Sequence, residues 1–68
     1  MKDLATIEMG VTPKGKIVYT AKIMRAGEAR GKDLNRAYYS KGEAEAAIKE
    51  KSPNAEIIPA YEFRKHEK

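Results

Sequence analysis

A general acid or base must be a titratable side chain held in fixed geometry, and this chain of 68 residues has one histidine, His66, close to its C-terminal end. Nothing in the sequence around His66 predicts a group that would orient or desolvate it. The two serines, Ser40 and Ser52, flank a helical stretch, and each has a structural reason to be there. No nucleophile elbow, Walker-type glycine loop or His-Glu-x-x-His pattern is present. Glu43 and Glu45 stand two apart on a helix and so point to different sides, while Glu8 and Glu62 read as solvated acids. With no cysteine, one histidine and no acidic loop of calcium spacing, the expectation is no metal and no cofactor. The pattern predicts a protein that binds, not one that catalyses.

The chemistry that remains is charge. Eight cations fall between Lys14 and Lys41 against two acids, Glu28 and Asp33, so this stretch carries +6 while the rest of the chain carries −2. Arg25, Arg30, Lys32 and Arg36 gather in and after a glycine-bearing loop, and Lys22 precedes them on a strand. A loop rich in arginine suits phosphate contacts. Tyr38 and Tyr39 are adjacent in the sequence, so only one can face inward, and the other is offered for stacking or as a hydrophobic staple. The candidate binding set is therefore Lys22, Arg25, Arg30, Lys32, Arg36, Tyr38 and Tyr39. The bland alternative is a solvated loop that keeps the protein soluble.

Several elements must position these residues. From Leu4 to Val11, Ala5, Ile7, Met9 and Val11 share one face of a strand. Thr12-Pro13-Lys14-Gly15 has turn chemistry, with proline presetting φ and glycine free to take a left-handed conformation. Lys16 to Arg25 alternates again, with Ile17, Tyr19, Ala21 and Ile23 on one side, which predicts a hairpin. Ala26 to Asp33 has no period, and Gly27 to Gly31 reads as a flexible tip. A third strand is expected over Leu34 to Tyr39. Ser40-Lys41-Gly42-Glu43 matches a capping box, and the helix it starts runs to Lys51, ended by Ser52-Pro53. Ala44, Ala47 and Ile48 form its narrow apolar face. A last strand is expected over Ala55 to Arg64, with Ile57, Tyr61 and Phe63 inward. Pro59 within it predicts an edge position, since proline donates nothing to a ladder. Lys65 to Lys68 reads as a frayed tail.

The expected fold class is α+β: a single domain over 1–68 in the order β-β-β-α-β, with a three- to four-stranded, largely antiparallel sheet and one helix on one face. The other sheet face, with Val18, Thr20, Lys22 and Met24, is expected to stand open. Eighteen Ile, Val, Leu, Met, Phe and Tyr residues supply one thin core, so a second copy paired through an edge strand would help so small a chain. No apolar run is long enough to span a bilayer and no secretory h-region is seen, which predicts a cytoplasmic protein without membrane contact.

Tyr39-Ser40-Lys41-Gly42-Glu43-Ala44 after a strand pair resembles the sheet-to-helix junction of arm-type DNA-binding domains in phage integrases, over residues 16 to 51. The size and element order also resemble small phage proteins that inhibit host polymerase or CRISPR complexes. These resemblances imply two partners, nucleic acid or a nucleic-acid-handling protein complex. The leading expectation is the first, reached through the basic loop and open sheet face. The alternatives are an inhibitor acting by protein contact, or a structural homodimer subunit.

Overall fold

The computed structural model describes residues 2–67 and has the order β1 (Leu4–Val11), β2 (Ile17–Met24), β3 (Lys32–Asp33), α1 (Lys41–Lys51), β4 (Glu56–Ile57) and α2 (Ala60–His66). The sheet order is β3-β2-β1-β4. β1 and β2 form the expected antiparallel hairpin, with Ala5 opposite Ile23 and Met9 opposite Tyr19. Gly15 closes its turn at φ 84°, a conformation that costs glycine little. β4 lies parallel to β1 at Leu4 and Ala5, so the sheet is mixed, and β4 is an edge strand that ends before Pro59.

Because side chains alternate across a strand, the hairpin register decides both cores at once. The odd-numbered face puts Ala5, Ala21 and Ile23 against Ile48 of α1, with Ile7, Leu34, Tyr38 and Ile57 packed around them. The small residues Ala5, Ala21 and Ala44 are fully buried and let α1 approach closely. α1 has the expected bounds. Ser40 Oγ accepts from the Glu43 amide at 3.2 Å, and the Glu43 carboxylate accepts in return from the amide of Tyr39, one residue earlier than a standard capping box.

Four expectations fail. The third strand does not occupy Leu34 to Tyr39: β3 is Lys32–Asp33, and beyond it the Leu34 amide donates to the Ala21 carbonyl and Tyr38 bridges to Tyr19. The cause is local, since Asp33 Oδ1 accepts from the Asn35 amide and Asn35 takes φ 56°, which turns the chain out of the strand. The last strand ends at Ile57. Pro59 then stands immediately before the first residue of a second helix, where its missing N–H costs nothing, and its carbonyl accepts from the amides of Glu62 and Phe63. In a helix, residues 61 and 63 cannot share a face, so Phe63 is buried while Tyr61 is 66% exposed. The tail is not frayed, because Lys65 and His66 are helical and Glu67 accepts from the Gly31 amide at 3.0 Å; Lys68 lies outside the described residues.

The fourth failure is the open sheet face. α2 packs on the even-numbered side, where Thr6 is buried and Glu8 pairs with Arg64 at 3.8 Å. Phe63 is 1% exposed and its ring lies against Gly31: a Cβ built there would stand 2.4 Å from Phe63 Cζ. Gly31 is therefore a packing residue, not part of a flexible tip. Gly31→Ala is expected to destabilise the fold by about 1–3 kcal/mol, the usual cost of overpacking a fixed ring. Urea denaturation checks it, and an unchanged midpoint would contradict the docking of α2.

Candidate functional site

The basic loop is built around Asp3, just before β1. Its carboxylate accepts from Ser52 Oγ at 2.6 Å and from the Ala26 amide at 2.8 Å, and Arg25 Nη1 stands 3.6 Å from it. Arg25 also reaches the Lys51 carbonyl, with Nη2 at 3.5 Å. One carboxylate thus joins the start of β1, the end of β2 and the last turn of α1. Ser52, expected only to precede a helix-stopping proline, is buried and takes part in this junction.

Two further cations, Lys32 and Lys22, also stand near acids. Lys32 lies 3.7 Å from Glu28, and the Glu28 carboxylate accepts from the Arg25 amide. Asp33 sits opposite Lys22 in the β2–β3 register, and Glu67 closes the loop from α2 at Gly31. Arg25 and Lys32 therefore stand beside Asp3 and Glu28, so two cations of the basic run are held against carboxylates.

The remaining candidates lie elsewhere. Arg36 sits with its guanidinium 5.8 Å from the Tyr38 ring centroid, on the α1 side of the sheet. Tyr38 is half-buried against the core and Tyr39 is 74% exposed, so the adjacent pair divides as expected. Arg36, Tyr38 and Tyr39 line one hollow with Glu43 and Glu50 of α1. Lys22 is half-buried on the α2 side. The seven residues do not form one surface.

His66 ends α2, exposed, beside a hollow of about 310 Å³ formed with Leu4, Met24, Gly27 and Glu28, and has no hydrogen-bond or ion-pair partner among the described residues. No group of three or more metal-ligating side chains occurs among the described residues. No described helix is long and apolar enough to cross a membrane.

Sequence reasoning missed a different surface. On the α1 side, Met9, Val11 and Ile17 are 66%, 67% and 52% exposed. α1 runs alongside β2 from the level of Tyr19, where Tyr38 is bridged, to Arg25, where Lys51 is held. The distal half of the hairpin therefore projects past the first turn of α1. These residues fit the core alternation, and only the length of α1 shows that no core reaches them.

The Ser52 hydroxyl first, then the Ala26 amide and the Arg25 guanidinium, hold the Asp3 carboxyl below its ordinary value of 3.8, against the opposing effect of desolvation. A depressed folded value means this junction contributes stability above the unfolded value and loses it as pH falls through the folded one. Carboxyl NMR should give Asp3 a midpoint below 3.8 that rises in Ser52→Ala, and a wild-type midpoint at or above 3.8 would contradict the junction. Comparison with protein-family models, with curated proteins and with solved structures finds no match to this chain.

Proposed function

We propose that this chain is a non-catalytic binding module that acts by protein contact through the projecting end of its β1–β2 hairpin. The observation that carries this reading is the exposure of Met9, Val11 and Ile17 side by side on one sheet face. Contiguous exposed apolar side chains rimmed by charge are characteristic of protein contact surfaces. Here Lys14 and Lys16, both exposed, supply the rim at the turn. Asp3 and Glu28 beside Arg25 and Lys32 favour this reading over phosphate binding there, because these two cations already stand against carboxylates.

A second reading has its own support. Arg36 beside Tyr38, the exposed Tyr39 and the exposed Lys41 combine cation and aromatic surface, the means by which single-stranded nucleic acid is held. Glu43 and Glu50 in the same hollow work against it.

One experiment separates the two. Tagged protein is used to capture partners from extracts of its own cell, with and without nuclease and at rising salt. Protein contact predicts a partner that survives both treatments, is lost in Met9→Glu or Val11→Glu, and is kept in Arg30→Ala/Lys32→Ala. Capture abolished by nuclease, or falling steeply with salt, would overturn the protein reading, since steep salt dependence belongs to phosphate contacts.

A further inference from the structure

The open backbone along the hairpin edge sets the form of a partner. In a β-strand the N–H and C=O of one residue point to the same edge, and successive residues alternate. The Glu56 amide donates to the Asp3 carbonyl and the Ile58 amide to the Ala5 carbonyl, so the odd residues of β1 turn these groups away from β2. β4 pairs with Leu4 and Ala5, and Ile58 then fills the edge opposite Thr6. From Ile7 to Val11 the edge is open: no backbone hydrogen bond among the described residues reaches the outward groups of Ile7, Met9 or Val11. This stretch has neither proline nor lysine to guard it, and its one charge, Glu8, is paired with Arg64 on the α2 side.

Resting on the reading of the hairpin end as a contact surface, we propose that this stretch takes an acidic, extended segment of another protein, added antiparallel to β1. Antiparallel addition fits the space, because hydrogen-bonded pairs at Ile7, Met9 and Val11 are completed within the open stretch. A parallel strand would need a carbonyl at the position of Ile58 to satisfy the Ile7 amide. The segment enters beside the turn and ends or bends away opposite Ile7, where Ile58 begins. Its residues opposite Ile7, Met9 and Val11 lie on the α1 side and are apolar, covering the exposed Met9 and Val11. Its residues opposite Glu8 and Gly10 face the α2 side. Glu8 disfavours an acid there, and Gly10 leaves room for a large side chain, since even a Cβ on it would meet only Val18 Cγ2 at 4.0 Å. Charge sets the rest. Lys14 and Lys16 at the turn are exposed and have no ion-pair partner among the described residues, and no acid lies between Met9 and Tyr19. Of the α1 acids, Glu43 and Glu50 flank the hollow beyond β2, and Glu45, on the opposite flank, has Lys41 and Lys49 one turn to either side. The β4–α2 end has no such excess, because Glu56 and Glu62 there are accompanied by Arg64 and Lys65. Acids therefore belong at the N-terminal end of the segment, beside the turn.

The test uses the purified full chain and a random-peptide library displayed on phage, with the enriched sequences then made as free peptides. The expected sequences place acids before apolar residues at alternate positions, and their binding shifts the Ile7, Met9 and Val11 amides in NMR spectra. N-methylation of the peptide at the residues opposite Ile7, Met9 and Val11 blocks N–H groups that point at β1, and should weaken binding by about tenfold or more. N-methylation at the intervening residues alters groups that point to solvent, and should leave affinity within about twofold. Lys14→Glu/Lys16→Glu should weaken binding of the same peptides, with circular dichroism confirming that the variant folds. A library without enriched sequences, peptides that shift amides elsewhere, or two N-methyl sets that weaken binding alike would overturn strand addition. Each of these results leaves side-chain contact through Met9 and Val11 standing, which the capture experiment decides on its own partner.

Discussion

The register of the β1–β2 hairpin is the constraint on which the rest of the molecule depends. Pairing Ala5 with Ile23 and Ile7 with Ala21 gathers the side chains that α1 covers. The same register sends Thr6, Glu8 and Met24 to the opposite side, where α2 and Phe63 pack. A slip of one residue would exchange the two sets, placing Thr6 and Glu8 under Ile48. Two thin layers of packing therefore enforce one alignment, and the Pro13 and Gly15 turn sets it from the hairpin end. The consequence is asymmetry along the strands: both helices cover the half near Leu4 and Met24, and the half near Val11 and Ile17 projects.

At the covered end, electrostatics takes the place of a larger core. Asp3 joins Ser52, Ala26 and Arg25, while Glu67 reaches across to the Gly31 amide, so segments distant in sequence are pinned by single carboxylates. Hydrogen bonds to charged groups are the stronger kind, and a chain that cannot bury much apolar surface has reason to use them. Arg25 and Lys32 of the loop belong to this arrangement of fixed acids. Net charge along the sequence is a poor guide to surface potential when the balancing acids arrive from elsewhere in the fold.

The elements defined by local pattern were legible in the residues. The hairpin, its turn and α1 follow from alternation, Pro-x-Gly chemistry and the Ser40 cap, and their bounds in the structure match within a residue. The elements decided by long-range contacts were not. α2 is a seven-residue helix whose apolar residues also fit a strand, and its identity depends on Phe63 finding the space left by Gly31. The third strand was displaced by an Asp33–Asn35 turn that alternation does not register. Of the candidate site, the division of Tyr38 from Tyr39 was readable. The pairing of Arg25 with Asp3 was not, because Asp3 lies more than twenty positions from the loop it serves, whereas the Glu28–Lys32 pair is four residues apart within that loop. Met9, Val11 and Ile17 read as core for the same reason, since nothing local says where α1 stops covering the sheet.

The proposed reading is that the molecule makes contact through the projecting half of the hairpin, while Arg25 and Lys32 of the loop are held by carboxylates of the scaffold. Capture of partners from extracts of its own cell by wild type, Met9→Glu and Arg30→Ala/Lys32→Ala tests this most directly. The account predicts a nuclease-resistant partner that is lost in Met9→Glu and kept in the loop double variant. Capture that is kept in Met9→Glu and lost in the loop double variant would contradict it.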